Sequence, residues 1–208
     1  MDFNEKQIHI IEAAEQLFAE QGFNGTSVRD ICEKAGVNLA MVSYYFGSKE
    51  KLLEALFAFR GEQSKLKLEN LIQRKDLTAM DKINQVIDLY IEKVTGRHAF
   101  HRILAREQVI THNGEIASLI LQMKKQNQAY VIQIIKEGKK NGEFKKSVDV
   151  PLLMGTLIGT ANHLLITRHY YRELDNKQDM DEAEFDLYMK KRISQHMKTI
   201  FKSLLTDD

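Results

Sequence analysis

Residues 26–57 read TSVRDICEKAGVNLAMVSYYFGSKEKLLEALF. Ser27 is a good helix N-cap, and Asp30, three residues on, places a negative charge in the first turn. Val28, Ile31, Cys32 and Ala35 recur at three- and four-residue steps, the apolar stripe of a short helix. Gly36 ends that helix, Val37 can tuck into a core, and Asn38 can cap a second short helix, LAMVSYYF, which stops at Gly47. Ser48 then caps a longer helix with Lys49 and Glu50 in its opening turn and Leu52, Leu53, Leu56 and Phe57 on its apolar face. Two short helices joined by a glycine turn, set between a first helix and a longer fourth, follow the helix-turn-helix plan. In that plan one helix braces across a nucleic-acid backbone while the next enters the major groove.

Working outward, Ile8, Ile11, Ala14, Leu17 and Phe18 keep helical spacing up to Gly22, so a helix precedes the pair. On the other side the pattern predicts helices of about 49–74, 78–95, 98–112, 115–141, 149–174 and 182–206. The polar run 175–184, DNKQDMDEAE, is the clearest loop. Pro151 is the only proline, and few stretches alternate with period two. The expected class is therefore all-α.

At 208 residues, 43% hydrophobic and 28% charged, the chain can bury a sizeable core without disulfides or metals. Cys32 is the single cysteine, which excludes an intrachain disulfide and fits a reducing cytoplasm; its apolar neighbours make it a small core residue rather than a nucleophile. The start MDFNEKQIHI lacks the regions of a signal peptide, and no apolar run reaches the roughly 20 residues that span a bilayer. The expectation is a cytoplasmic protein with no membrane partner. Residues 1–60 carry six Lys/Arg against nine Asp/Glu, a charge of −3, and the remainder carries 24 against 20, or +4. DNA binding by so acidic a segment must rely on a few well-placed donors rather than a broad positive field.

In the second short helix Val42 and Phe46, four apart, supply the buried side. Leu39, Ala40, Met41, Ser43 and Tyr44 form the other, with Tyr45 at its edge. Exposed aromatics on so short a helix are costly unless they meet a partner. Tyrosine suits DNA, since its ring packs on sugar and base methyls while its hydroxyl reaches a phosphate. The alternative is that Tyr44 and Tyr45 are core aromatics, and helical facing favours that more for Tyr45.

The run 26–57, preceded by AAEQLFAEQGFNG, closely resembles the signature of the TetR/AcrR family of one-component transcriptional regulators. The resemblance covers about the first quarter of the chain. It implies an N-terminal three-helix helix-turn-helix DNA-binding domain, residues 1–48, and a larger C-terminal helical domain, 49–208, that binds a small effector and dimerises. It implies a regulator, of the repressor kind, that binds a palindromic operator in double-stranded DNA as a homodimer and is released by a small molecule. Carried over by position, Ser27, Val28 and Arg29 approach DNA from the bracing helix, and Asn38 opens the recognition helix where a phosphate is favoured. Leu39, Ala40 and Met41 face bases, Ser43, Tyr44 and Tyr45 occupy the family's aromatic stretch, and Lys49 stands at a common phosphate contact. Ser43 replaces a frequent tyrosine, Tyr45 a common histidine, and Gly47 a frequent lysine, which alters the expected operator.

The same plan pairs the last two long helices with their twins in a four-helix bundle. Suitable residues are Leu153, Leu157, Thr160 and Leu164 with the stripe Phe185, Tyr188, Met189, Ile193, Met197, Ile200, Phe201 and Leu204; packing within one subunit is the equal alternative. Gly155 and Gly159 would allow close helix approach. Candidates for the effector pocket are Tyr90, Phe100, Leu104, Gln108, Met123, Asn127, Tyr130, Asn162, His163 and Ile166, a mix of apolar walls and polar groups. Neither a cofactor nor a metal is called for. His98 and His101, three apart with Glu107 nearby, lack any accompanying H-E-x-x-H or CxxC, and no nucleophile elbow or glycine-rich phosphate loop suggests an enzyme. A helical adaptor, with the same DNA role but no pocket, is the remaining alternative.

Overall fold

The first helix, α1 (Glu5–Gln21), starts where Asn4 and Gln7 cap each other reciprocally, and it ends at Gly22. The computed structural model describes residues 3–95, 99–110, 114–145 and 147–207, and helix is the only regular structure among them. After α1 come α2 (Val28–Ala35), α3 (Leu39–Phe46), α4 (Lys49–Gln73), α5 (Ala79–Thr95), α6 (Ala99–Ile110) and α7 (Glu115–Lys140). The chain closes with α8 (Val150–Ile166), α9 (Arg168–Leu174) and α10 (Glu182–Leu205). The all-α expectation holds. Pro151 sits in the first turn of α8, where its missing N–H costs nothing, and Asp149 caps that turn by accepting from the Leu152 N–H (3.1 Å).

Packing divides the chain into two units, Met1–Leu66 with Ala99–Lys125, and Lys67–His98 with Gln126–Asp208. Both α4 and α7 give one part to each. In the first unit, Ile10, Ile11, Ala14, Leu17 and Phe18 of α1 bury against Ile31 and Cys32 of α2, Val42 and Phe46 of α3, and Leu52, Leu56 and Phe57 of α4. Ile103 of α6 and Ile120 of α7 complete this core, and Phe100 meets Phe57 edge-on at 5.1 Å. Burial pushes the Cys32 thiol up from its ordinary value, so it stays protonated and inert. An ion pair ties α4 to α1 in this unit: Arg60 donates through Nε (3.0 Å) and Nη2 to the buried Glu15 carboxylate.

The second unit packs α5 against α8 and α10. Ile83, Ile87 and Ile91 of α5 meet Leu153, Leu157 and Ala161 of α8, Ile134 of α7, and Phe185, Met189, Ile193, Met197 and Phe201 of α10. Lys82 is also buried, its ammonium held by both Glu137 oxygens (2.8 and 2.9 Å) and the Ile72 carbonyl (3.0 Å). One sequence expectation changes here, and one open alternative closes. The helix expected over 149–174 breaks at Thr167, whose hydroxyl donates to the His163 carbonyl (2.7 Å), a back-bond that bends helices. Of the two readings left open for the apolar stripes of α8 and α10, packing within one subunit is the one that most of these residues take, from Leu153 and Leu157 to Phe201. A stripe at positions 153, 157 and 161 satisfies one subunit's α5 and α10, and spacing alone could not say which partner it meets.

Candidate nucleic-acid interface

Local capping makes the two short helices as the sequence anticipates. The Ser27 hydroxyl accepts from the Asp30 N–H (3.2 Å), and the Asp30 carboxylate accepts from the Ser27 N–H (2.8 Å). Those bonds, the backbone one first, hold the Asp30 carboxyl below its ordinary pKa. Gly36 takes the left-handed conformation (φ 60°, ψ 34°) that turns the chain between the helices, a conformation that costs a β-carbon about a kcal/mol. The Asn38 side chain accepts from the Met41 N–H (2.9 Å), so it caps α3 and already occupies one of the amides expected to face a phosphate.

On α3, Val42 and Phe46 are buried, while Leu39, Ala40, Ser43 and Tyr44 are exposed. Tyr44 is 83% exposed, the state expected of a side chain that awaits a partner. Met41 is half-buried at the border. Tyr45 is half-buried against the core of the unit, with its ring 5.1 Å from that of Tyr44 and 6.4 Å from that of Phe46. The two tyrosines therefore differ in kind. Tyr44 points to solvent, and Tyr45 braces it from below. On α2, Arg29 is exposed, Ser27 is exposed and Val28 is half-buried.

Lys49 does more than open α4. Its ammonium donates to the carbonyls of Phe23 (2.8 Å) and Thr26 (2.9 Å) and lies 4.2 Å from the centre of the Phe23 ring. An ammonium has three donors, and these two bonds use two of them. The loop that Lys49 grips is also held by the buried Thr26 hydroxyl, which donates to the Gly22 carbonyl (2.8 Å), and just before it Arg106 of α6 donates to the Phe18 carbonyl in the last turn of α1 (3.3 Å). Gly22 has φ 79°, and a β-carbon there would lie 2.7 Å from the Arg106 guanidinium. Sequence reasoning missed this clamp. Arg106 lies 88 residues from the Phe18 carbonyl it bonds, so no local pattern signals it.

The ten effector candidates divide between the units. Phe100, Leu104 and Met123 pack against the first unit's core, and Gln108 donates to the Leu104 carbonyl of its own helix (3.2 Å). In the second unit Tyr90 and Asn162 are brought together; burial pushes the Tyr90 hydroxyl up to about 12, and the hydrogen bond with Asn162 offsets part of that rise. Tyr130 is buried, donating to Glu69 (2.7 Å) and accepting from Gln126 (2.9 Å), and Asn127 is half-buried. His163 lines an open groove of about 520 Å3 with His196, Arg192 and Tyr171, and Ile166 is 84% exposed. His98 lies outside the described residues, and among those described no group of three or more His, Cys, Asp or Glu is placed to hold a metal. No single helix among them is long and apolar enough to cross a membrane.

Residues 10–56 match the family model for bacterial regulatory proteins of the tetR family, and 76–166 match that for a tetracyclin repressor-like C-terminal domain. The chain is 30% identical over 162 residues to the fatty acid metabolism regulator protein of Bacillus subtilis, covering 78% of this chain and 82% of the relative. It is 24% identical over 152 residues to the HTH-type transcriptional repressor KstR2 of Mycobacterium tuberculosis, covering 72% and 74%. Among solved structures it resembles the transcriptional regulator FadR from Bacillus subtilis in complex with stearoyl-CoA, with a TM-score of 0.69, 24% identity, and coverage of 92% and 97%. FadR from Bacillus halodurans gives a TM-score of 0.72 at 20% identity, with coverage of 95% and 97%. The capped helix pair, its outward tyrosine and these matches together establish that the chain belongs to the TetR family and is a transcriptional regulator.

Proposed function

We propose that the protein is a cytoplasmic repressor, not an enzyme, which binds a two-fold symmetric operator as a homodimer and leaves it when a small molecule binds. The observation that carries this reading is the exposed side of α3, with Tyr44 outermost, held by a core that buries the rest of the helix. In this reading residues 1–48 are the reading head and 49–208 the effector-binding and dimerising part. Leu39, Ala40, Met41, Ser43 and Tyr44 meet bases; Ser27, Val28, Arg29, Asn38 and Lys49 meet the backbone; Tyr45 sets the pose of Tyr44. Such phosphate contacts release counterions, so affinity falls steeply with salt.

The dimer reading is supported by what α8 leaves uncovered. Leu152 (69% exposed) and Ile166 lie on its outer side with Gly155 and Gly159, where an added β-carbon would meet nothing within 4 Å. An apolar helix face with small residues at four-residue spacing suits close approach by a second copy. This reading reassigns His163 and Ile166 from effector to dimer contact and keeps Tyr90, Asn162 and Tyr130 as the effector's polar partners. The solved neighbour with stearoyl-CoA makes long-chain acyl-CoA the first effector class to test. The test is selection of fragments bound by the purified chain from its source genome, followed by release with acyl-CoAs of different chain length. A recovered symmetric motif is the expected result. Failure to enrich any common sequence overturns the operator reading, and a motif that no compound releases overturns only the effector reading.

A further inference from the structure

The outer face of α8 consists of Leu152, Gly155, Thr156, Gly159, His163 and Ile166, all exposed and recurring at three- and four-residue steps. No Asp, Glu, Lys or Arg occurs between Val150 and Ile166, so His163 is the one titratable side chain of the helix. It stands at the rim of the groove of about 520 Å3 between α8, α9 and α10, across which His196 of α10 also lines the wall. Both imidazoles are exposed, and among the described residues neither makes a hydrogen bond or an ion pair. Arg192 is the other cation of the lining, and no acid belongs to it.

The surrounding carboxylates are already engaged. Asp175 pairs with Arg192 and accepts from the Tyr188 hydroxyl (3.0 Å), and the Arg192 guanidinium lies 5.5 Å from the centre of the Tyr171 ring of α9. Arg168 and Arg172 of α9 take Glu182 and Asp186, and His169 is exposed outside the groove lining. On α10, Lys191 and Lys198 line a different groove, towards α5. From α5, which packs on the buried side of α8, Tyr90 bonds Asn162.

An imidazole gains its charge between pH 8 and 5. While the face is open, water solvates that charge. A two-fold contact lays α8 on its own twin, and a helix without carboxylates has no counterion to offer its twin. A charged imidazole covered in this way is costly, whereas the neutral ring, with one donor and one acceptor nitrogen, is not. We propose, on the reading of α8 as the dimer contact, that protonation of His163, with His196 beside it, opens the dimer. The covered form binds fewer protons than two free chains, so by linkage the chains pair at neutral and alkaline pH and separate as pH falls through the imidazole range. Acid thereby becomes a route off the operator that needs no effector.

Sedimentation velocity of the full chain at pH 8.0 and pH 5.5, at one ionic strength and with circular dichroism as the check on folding, gives the dimer dissociation constant. It should rise at least tenfold at the lower pH with helicity unchanged. His163→Gln should remove most of that rise, and His196→Gln a smaller part. His163→Lys, which stays charged at both values, should weaken the dimer at least tenfold already at pH 8.0. His9→Gln, on α1 of the first unit, should keep the parent's pH dependence. A parent that is monomeric at pH 8.0, or a dimer that Gly159→Leu leaves intact there, overturns the α8 reading itself. A dimer that Gly159→Leu breaks, but whose dissociation constant is the same at both pH values, overturns the histidine gate alone. So does a pH dependence that His163→Gln leaves unaltered, or one that His9→Gln removes equally.

Discussion

Replacing Tyr44 and Tyr45 separately by alanine tests the placement of the reading surface, because the structure gives the two neighbours opposite roles. Tyr44 is 83% exposed and its ring lies 5.1 Å from that of Tyr45. Losing that edge contact costs at most about 1 kcal/mol so close to solvent, and alanine returns roughly 0.5 kcal/mol as a better helix former. The stability of Tyr44→Ala should therefore stay within about 0.5 kcal/mol of the parent. Its operator affinity should drop by roughly 1–3 kcal/mol, about 5- to 150-fold. Tyr45 is half-buried against the core, so Tyr45→Ala should cost roughly 1.5–2.5 kcal/mol of stability, about half the loss at a fully buried aromatic. Fluorescence anisotropy on a labelled operator at fixed salt gives the affinities, and urea unfolding followed by circular dichroism gives the stabilities. Parental operator affinity in Tyr44→Ala would refute the assignment of this side of α3 to DNA. A stability loss in Tyr44→Ala as large as that in Tyr45→Ala would refute the division of labour between them.

Lys49→Met removes two charge-assisted bonds to carbonyls that partly regain water, so a loss of about 1–2.5 kcal/mol in urea unfolding is expected. Its operator binding should weaken for all sequences alike, with a shallower dependence on salt; parental stability would show that the clamp is idle. Glu15→Gln leaves Arg60 without its buried counterion and should destabilise by roughly 2–4 kcal/mol, whereas a change under 1 kcal/mol would mean that water already screens the pair. For Tyr90, the folded hydroxyl ionises at about 12 and an unfolded tyrosine at about 10. Its share of stability is complete below pH 10 and is lost as pH rises to 12, roughly 3 kcal/mol at about 1.4 kcal/mol per pH unit. Tyrosinate absorbance should show one of the seven tyrosines titrating last, and Tyr90→Phe should remove that step; an unaltered titration in the variant would contradict the burial of this hydroxyl.

Residues 26–57 by themselves determined the helix pair, its caps and its turn, because each of those features is made from atoms within four residues of one another. Ser27, Asp30, Gly36, Asn38 and Ser48 all act where their spacing places them. Helical facing also separated the buried Val42 and Phe46 from the outward residues of α3. Tertiary structure decided what depends on distant partners. It turned the stripes of α8 and α10 inward, split the effector candidates between two packing units, set Lys49 on carbonyls of the loop before α2, and set Arg106 on a carbonyl in the last turn of α1. An apolar stripe states that a face must be covered and a lysine that an acceptor is needed, but which surface or carbonyl answers is settled only when remote segments of the chain meet.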